Sequence, residues 1–181
     1  GNVAEWTQSS WSDEISDKTS KEVRGQYEEN PYPRWRYADI HPKVNFLNEI
    51  NSDIYPNQIT FNDEIKIPKI LIAGCGTGQQ LARRINYKDS KVLAIDLSLS
   101  SLAFAKRKMQ EFKINNIEFL HIDLLKLKKL KRKFNIIECM GVLHHLDDPE
   151  QGLNILLDTL DTNGFLKLGL YSEHARRHIV E

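Results

Sequence analysis

From Ile65 onward, short apolar runs alternate with amphipathic stretches. Ile70-Leu71-Ile72-Ala73, Lys91-Val92-Leu93-Ala94-Ile95, Ile117-Glu118-Phe119-Leu120, Phe134-Asn135-Ile136-Ile137 and Phe165-Leu166-Lys167-Leu168-Gly169-Leu170 read as five strands. Stretches 80–85, 100–112 and 149–160 carry apolar residues at i, i+3 and i+4, the spacing of one helix face. Continuous apolar strands alternating with helices predict a mostly parallel sheet covered on both faces, a doubly wound α/β fold. The last predicted strand ends at Leu170, and a bare apolar edge is normally covered. We therefore expect the chain to be a fragment, or a partner to cover that edge.

The first third reads differently. Residues 1–35 set Trp6, Trp11, Tyr27, Tyr32 and Trp35 among charges, and Asn30-Pro31-Tyr32-Pro33 stops any helix because each proline pushes its predecessor out of the α region. A helix is expected over 20–28 and another over 42–50. The expected division is a helical extension over 1–64 and a ligand-binding core over 65–181.

Composition narrows the class. With 181 residues, 40% hydrophobic and 28% charged, the chain can bury a core of its own. Twenty-five basic residues balance twenty-five acidic ones, which removes the electrostatic case for a general nucleic-acid or membrane-surface binder. The basic run over 126–133 is read as a solvated face. Two cysteines, Cys75 and Cys139, make no disulfide framework, and no apolar run approaches a membrane span, so the cytoplasm is the expected location.

The chemistry gathers at strand ends. Ile70–Ala73 runs into Gly74-Cys75-Gly76-Thr77-Gly78-Gln79, a turn whose glycines allow a ligand close to the backbone. The dinucleotide fingerprint G-x-G-x-x-G needs glycine where Gln79 stands, and no phosphate-binding lysine follows. The plain alternative is a tight strand–helix turn without a ligand. Asp96 ends the second strand, where an acidic residue meets ribose hydroxyls in doubly wound nucleotide sites; its alternative role is a helix cap. Asp123 and Leu124 follow the third strand, placed to meet an adenine amino group and ring, or to cap a turn. His174 and His178 lack the glutamate of a zinc-binding HExxH helix, so no metal site is expected.

Taken in order, Gly74-Cys75-Gly76-Thr77-Gly78, Ile95-Asp96-Leu97-Ser98, Ile122-Asp123-Leu124, Gly141-Val142-Leu143-His144-His145 and Leu160-Asp161-Thr162-Asn163-Gly164-Phe165-Leu166 resemble the motifs of class I S-adenosylmethionine-dependent methyltransferases, the last of them at the turn before the fifth strand. That resemblance implies a Rossmann-like methyltransferase fold lacking its last two strands. It implies S-adenosyl-L-methionine as cofactor, with the glycine loop and Gln79 at the methionyl part, Asp96 and Leu97 at the ribose, Asp123 and Leu124 at the adenine, and Gly141 beside the sulfonium. Two positions depart from the pattern: Ile72 stands where an acidic residue is frequent, and Asn135 replaces a common aspartate.

The segment 26–35 is similar to one that precedes the methyltransferase domain in bacterial tetratricopeptide-repeat methyltransferases, though no such repeat stands here. From it we expect Tyr27, Tyr32 and Trp35 either to form a lid over the cofactor or to pack as an aromatic strap on the sheet's flank. His144, with an ordinary pKa near 6.5, is the first candidate for a base, and His145 and Tyr171 come after it. The implied activity is methyl transfer to an acceptor that no residue identifies. The competing class is a non-catalytic module that binds the same cofactor.

Overall fold

The computed structural model describes residues 18–37, 45–59, 65, 67–84 and 90–171. Trp6, Trp11, His174, His178 and the start of the helix expected over 42–50 lie outside the described residues. Among the described residues, five parallel strands form one sheet: β1 (Lys69–Ala73), β2 (Lys91–Asp96), β3 (Ile117–His121), β4 (Phe134–Met140) and β5 (Leu160–Gly169), in the order β3-β2-β1-β4-β5. The helices are α1 (Lys18–Glu29), α2 (Phe46–Asp53), α3 (Gln79–Arg84), α4 (Leu99–Glu111) and α5 (Pro149–Thr159).

The central strands are apolar along their length because both of their faces are covered. Ile70, Ile72, Ala94 and Ile136 pack with Leu81 and Ala82 of α3 and Leu102, Ala105 and Met109 of α4. The alternate positions, Leu71, Ala73, Leu93, Ile95 and Ile137, pack with Ile155 and Leu156 of α5 and with Leu124 and Leu127 of the 3-10 turn Leu124–Leu130. Caps set the helix starts. The Ser98 side chain accepts from Ser101 N at α4, and Asp148 accepts from Gln151 N at α5, ahead of Pro149.

One expectation is corrected. The segment 160–164, expected as a turn before the fifth strand, belongs to β5 as an irregularity: Phe134 pairs with Leu160, and the next partners are Ile136 and Phe165. Asn163 takes φ 62° there, and Asn135 Nδ2 donates to Asp161 Oδ2 at 3.3 Å. Asn135 also accepts from Lys69 N at 2.9 Å, so this departure from the family pattern ties the starts of β1 and β4 to the bulge. The basic run is locally paired: Lys128 contacts Asp158, Arg132 meets Glu118 at 2.7 Å, and Lys133 donates to the Asp158 carbonyl at 2.6 Å.

Candidate functional site

The order β3-β2-β1-β4 reverses direction at β1, and a crevice opens beyond the carboxyl ends of strands at such a point. The turn after β1 is built into it. The N–H groups of Gly74 and Cys75 both donate to the Ile95 carbonyl at 2.9 Å, which ties the turn to β2. Gly74 has φ 74°, and a Cβ there would lie 2.2 Å from Val142 Cγ2, so backbone curvature and the approach of the segment after β4 both require glycine. Gly78 has a different task. Its absent side chain admits Ala105, whose Cβ would stand 2.8 Å from a Cβ at position 78, so α3 starts in close contact with α4.

Asp96 holds this end of the molecule together. Its Oδ2 accepts from Gly76 N at 2.7 Å and its Oδ1 from Ser98 N at 2.9 Å, joining the turn after β1 to the turn after β2. A carboxylate offers about four lone-pair sites, so these two bonds do not exhaust it. Burial raises the pKa of Asp96, against the pull of those N–H groups and of nearby His121. His121 itself is set by a 2.8 Å bond between Nε2 and the Leu97 carbonyl.

A cavity of about 520 Å³ lies over these turns. Gly74, Cys75, Gly76 and Gln79 line it from β1 and α3, and Asp96 and Leu97 from β2. Asp123 and Leu124 line it after β3, and Gly141 after β4. Asp123 also caps the 3-10 turn that follows, accepting from Leu125 N at 2.9 Å. Tyr27 reaches the cavity from α1 and meets His145 edge-on, with ring centroids 6.5 Å apart. Its hydroxyl is pushed to a higher pKa by burial, and further by Tyr171, Asp96 and Tyr32.

Three expected residues stand elsewhere. Gly78 serves the α3–α4 contact. Trp35 is buried away from the cavity, stacked on Phe112 at 5.9 Å, edge-on to Phe104 at 6.2 Å, with its indole N–H donating to the Thr77 carbonyl at 3.0 Å. It is a strap residue and not part of a lid, because the rings of Phe104 within α4 and Phe112 at its end offer it more apolar contact than an open mouth does. Thr77 Oγ1 donates back to the Pro33 carbonyl at 2.5 Å, so residues 33–35 cross the glycine turn and lock it. His144 turns aside, its ring against Tyr171 at 4.3 Å and His145 at 4.2 Å, while His145 is the histidine on the cavity wall. Both belong to the 3-10 turn Leu143–His145, in which successive side chains point about 120° apart. Burial lowers the pKa of His145, which leaves it neutral near pH 7.

Sequence reasoning named Tyr27 but missed the rest of this face of α1. Ser20, Val23 and Arg24 line the cavity with it, and their spacing of three and four along a predicted helix was the available signal. It also missed Glu28, whose Oε2 accepts from Ser98 Oγ at 2.8 Å and from Ser100 N at 3.2 Å. Burial raises its pKa, but the hydrogen bonds from Ser98 and Ser100 and the charge of Arg24 outweigh it and hold the carboxyl below its ordinary value.

A family model described as a methyltransferase domain matches residues 70–164, more than half of the chain. An uncharacterized protein of Synechococcus is 38% identical in an alignment that covers 91% of this chain and 40% of the relative. Ubiquinone biosynthesis O-methyltransferase of Acinetobacter baumannii is 28% identical over 63% of this chain and 48% of its own length. The solved structure of PKMT2 from Rickettsia typhi in complex with AdoHcy is 31% identical with a TM-score of 0.51, covering 56% of this chain and 20% of that one. The chain spans about half the length of the curated relatives it matches. Among the described residues there is no cluster of metal-ligating side chains, and no helix is long and apolar enough to cross a membrane.

Proposed function

The chain belongs to the family of class I S-adenosylmethionine-dependent methyltransferase domains, and from that premise we propose that it holds S-adenosylmethionine in the cavity over β1, β2 and β4 and transfers its methyl group to an acceptor by in-line displacement. The observation that carries this reading is the Asp96 carboxylate, bonded to Gly76 N–H at the cavity's edge and retaining capacity for further donors. The residues fit the ligand. Gly74 and Gly76 line the cavity with backbone alone, Asp96 suits vicinal ribose hydroxyls, and Asp123 with Leu124 suits an adenine amino group and ring.

Bound S-adenosylmethionine supplies an electrophilic methyl on a sulfonium, which departs as S-adenosylhomocysteine. The protein's share is alignment and proton management. Holding both reactants in line is worth up to ~7–11 kcal/mol, and it needs the cofactor against the strand ends and the acceptor against the opposite wall. Tyr27 and His145 both line the cavity. His145, neutral near pH 7 and on the cavity surface, is the residue we assign as proton acceptor for an O–H, N–H or S–H nucleophile, in place of His144.

The test is calorimetric titration with S-adenosylhomocysteine, with NADH in parallel. Micromolar binding of the first alone supports the reading; a folded chain that binds neither, or prefers NADH, overturns it. Transfer of a labelled methyl group from S-adenosylmethionine then separates an enzyme from a binding module. His145→Asn is expected to lower that turnover while leaving S-adenosylhomocysteine affinity unchanged.

A further inference from the structure

Glu28 stands on the last turn of α1, away from the glycine turn and the strand ends, and is bonded to the residues that start α4. Its Oε2 accepts from Ser98 Oγ at 2.8 Å and from Ser100 N at 3.2 Å, which puts a carboxylate on the N-terminus of the thirteen-residue α4. Ser98 Oγ in turn accepts from Ser101 N at 3.0 Å and so caps that helix. Ser98 N donates to Asp96 Oδ1 at 2.9 Å, and Asp96 Oδ2 takes Gly76 N–H at 2.7 Å. One run of hydrogen bonds therefore leads from α1 to the turn after β1.

We infer that Glu28 is a positioning residue for the cofactor: its carboxylate fixes the Asp96–Ser98 turn and clasps α1 over the cavity, so that α1 is part of the binding site. This rests on the reading above that the cavity takes S-adenosylmethionine. The chemistry of Ser98 gives the clasp its leverage. A hydroxyl has one proton to donate; at 2.8 Å it goes to Glu28, and the Tyr27 carbonyl, 3.2 Å away, is its rival among the described residues. Removing the Glu28 carboxylate hands that proton to Tyr27, leaves Ser100 N without its acceptor, and moves the Ser98 hydroxyl that caps α4. The far end of α1 is held separately, by Thr19 Oγ1 donating to Asp147. Without Glu28, the turn that carries Tyr27, the ring on the cavity wall, keeps only the Ser98–Tyr27 bond of the three just described between it and the start of α4.

The experiment measures S-adenosylhomocysteine affinity by calorimetry and its release rate by stopped flow, alongside thermal unfolding, for wild type, Glu28→Ala and Glu28→Gln. Glu28→Ala is expected to bind about tenfold more weakly, the worth of one charge-assisted hydrogen bond, with release faster in proportion. Glu28→Gln keeps an acceptor oxygen without the charge and is expected to fall between. A merely structural Glu28 would lower the melting temperature and leave the affinity and release rate of the folded protein unchanged; that result overturns the inference. If Glu28→Ala does not fold, Glu28→Gln decides the question by the same two readouts. Failure of the wild type to bind overturns the cofactor reading and this inference together, whereas equal binding by wild type and variants overturns this inference alone.

Discussion

Asp96 concentrates what single residues contribute. Its side chain receives N–H groups from the turns after both β1 and β2. Asp96→Ala is expected to weaken S-adenosylhomocysteine binding by roughly 10- to 150-fold, the equivalent of about 1.5–3 kcal/mol for hydrogen bonds to a charged group, as read by calorimetry. Its titration gives a second expectation. Burial raises its pKa, so the contribution to folding is full below the ordinary carboxyl value and is lost as pH rises through the raised one. Ribose hydroxyls donate to the ionised form, so ligand binding has the opposite sign: the rise in melting temperature produced by S-adenosylhomocysteine should shrink as pH falls through that same window. A ligand-induced rise that stays constant as pH falls to the ordinary carboxyl value would remove Asp96 from the site. The identity of this residue was legible in the sequence, because it ends an apolar strand at the right distance from a glycine turn. Choosing between His144 and His145 was not, since adjacent residues of a 3-10 turn point to different sides and only the packing of Tyr171 decides which.

Elements act here through their junctions. The β1–α3 turn works because Gly74 lets Val142, from the segment after β4, lie against its backbone. Gly74→Ala would place a Cβ 2.2 Å from Val142 Cγ2 in a left-handed conformation, so the protein is expected to lose about 1–3 kcal/mol of stability in denaturant unfolding. Equal stability would mean that the turn and the β4 segment move apart freely. The strands and helices of the core followed from hydrophobic periodicity, with ends shifted by a few residues. The β5 bulge did not follow: an Asp-Thr-Asn-Gly sequence signals a turn, and only its pairing to β4 and the bond from Asn135 to Asp161 keep it in the sheet. The face of α1 was half legible. Its spacing marks a stripe, but nothing in the stripe says that it covers a cavity rather than a core.

At the scale of the whole molecule, the two cysteines report on both halves of the core. Cys75 packs with the α3–α4 side of the sheet and Cys139 with the α5 side, both free and buried. Burial, with Asp96 nearby, pushes the Cys75 thiol well above its ordinary pKa, and burial pushes Cys139 up to about 12. Neither thiol should react with a disulfide reagent in native buffer, and both should become reactive at the denaturant concentration where far-UV circular dichroism is lost, since both depend on the same sheet. Earlier labelling of Cys75 alone would show that the strap of residues 33–35 opens locally. The α/β class, the parallel sheet and the strand ends where ligand chemistry collects are all written in short-range pattern: apolar runs, glycines and the acid that follows a strand. Which of those residues face the cavity, that Trp35 packs on Phe112, and that Glu28 reaches Ser98 are settled only in three dimensions. Those outcomes come from contacts between residues some seventy positions apart, set by how α1 and its strap dock across the sheet, and no local pattern along the chain encodes them.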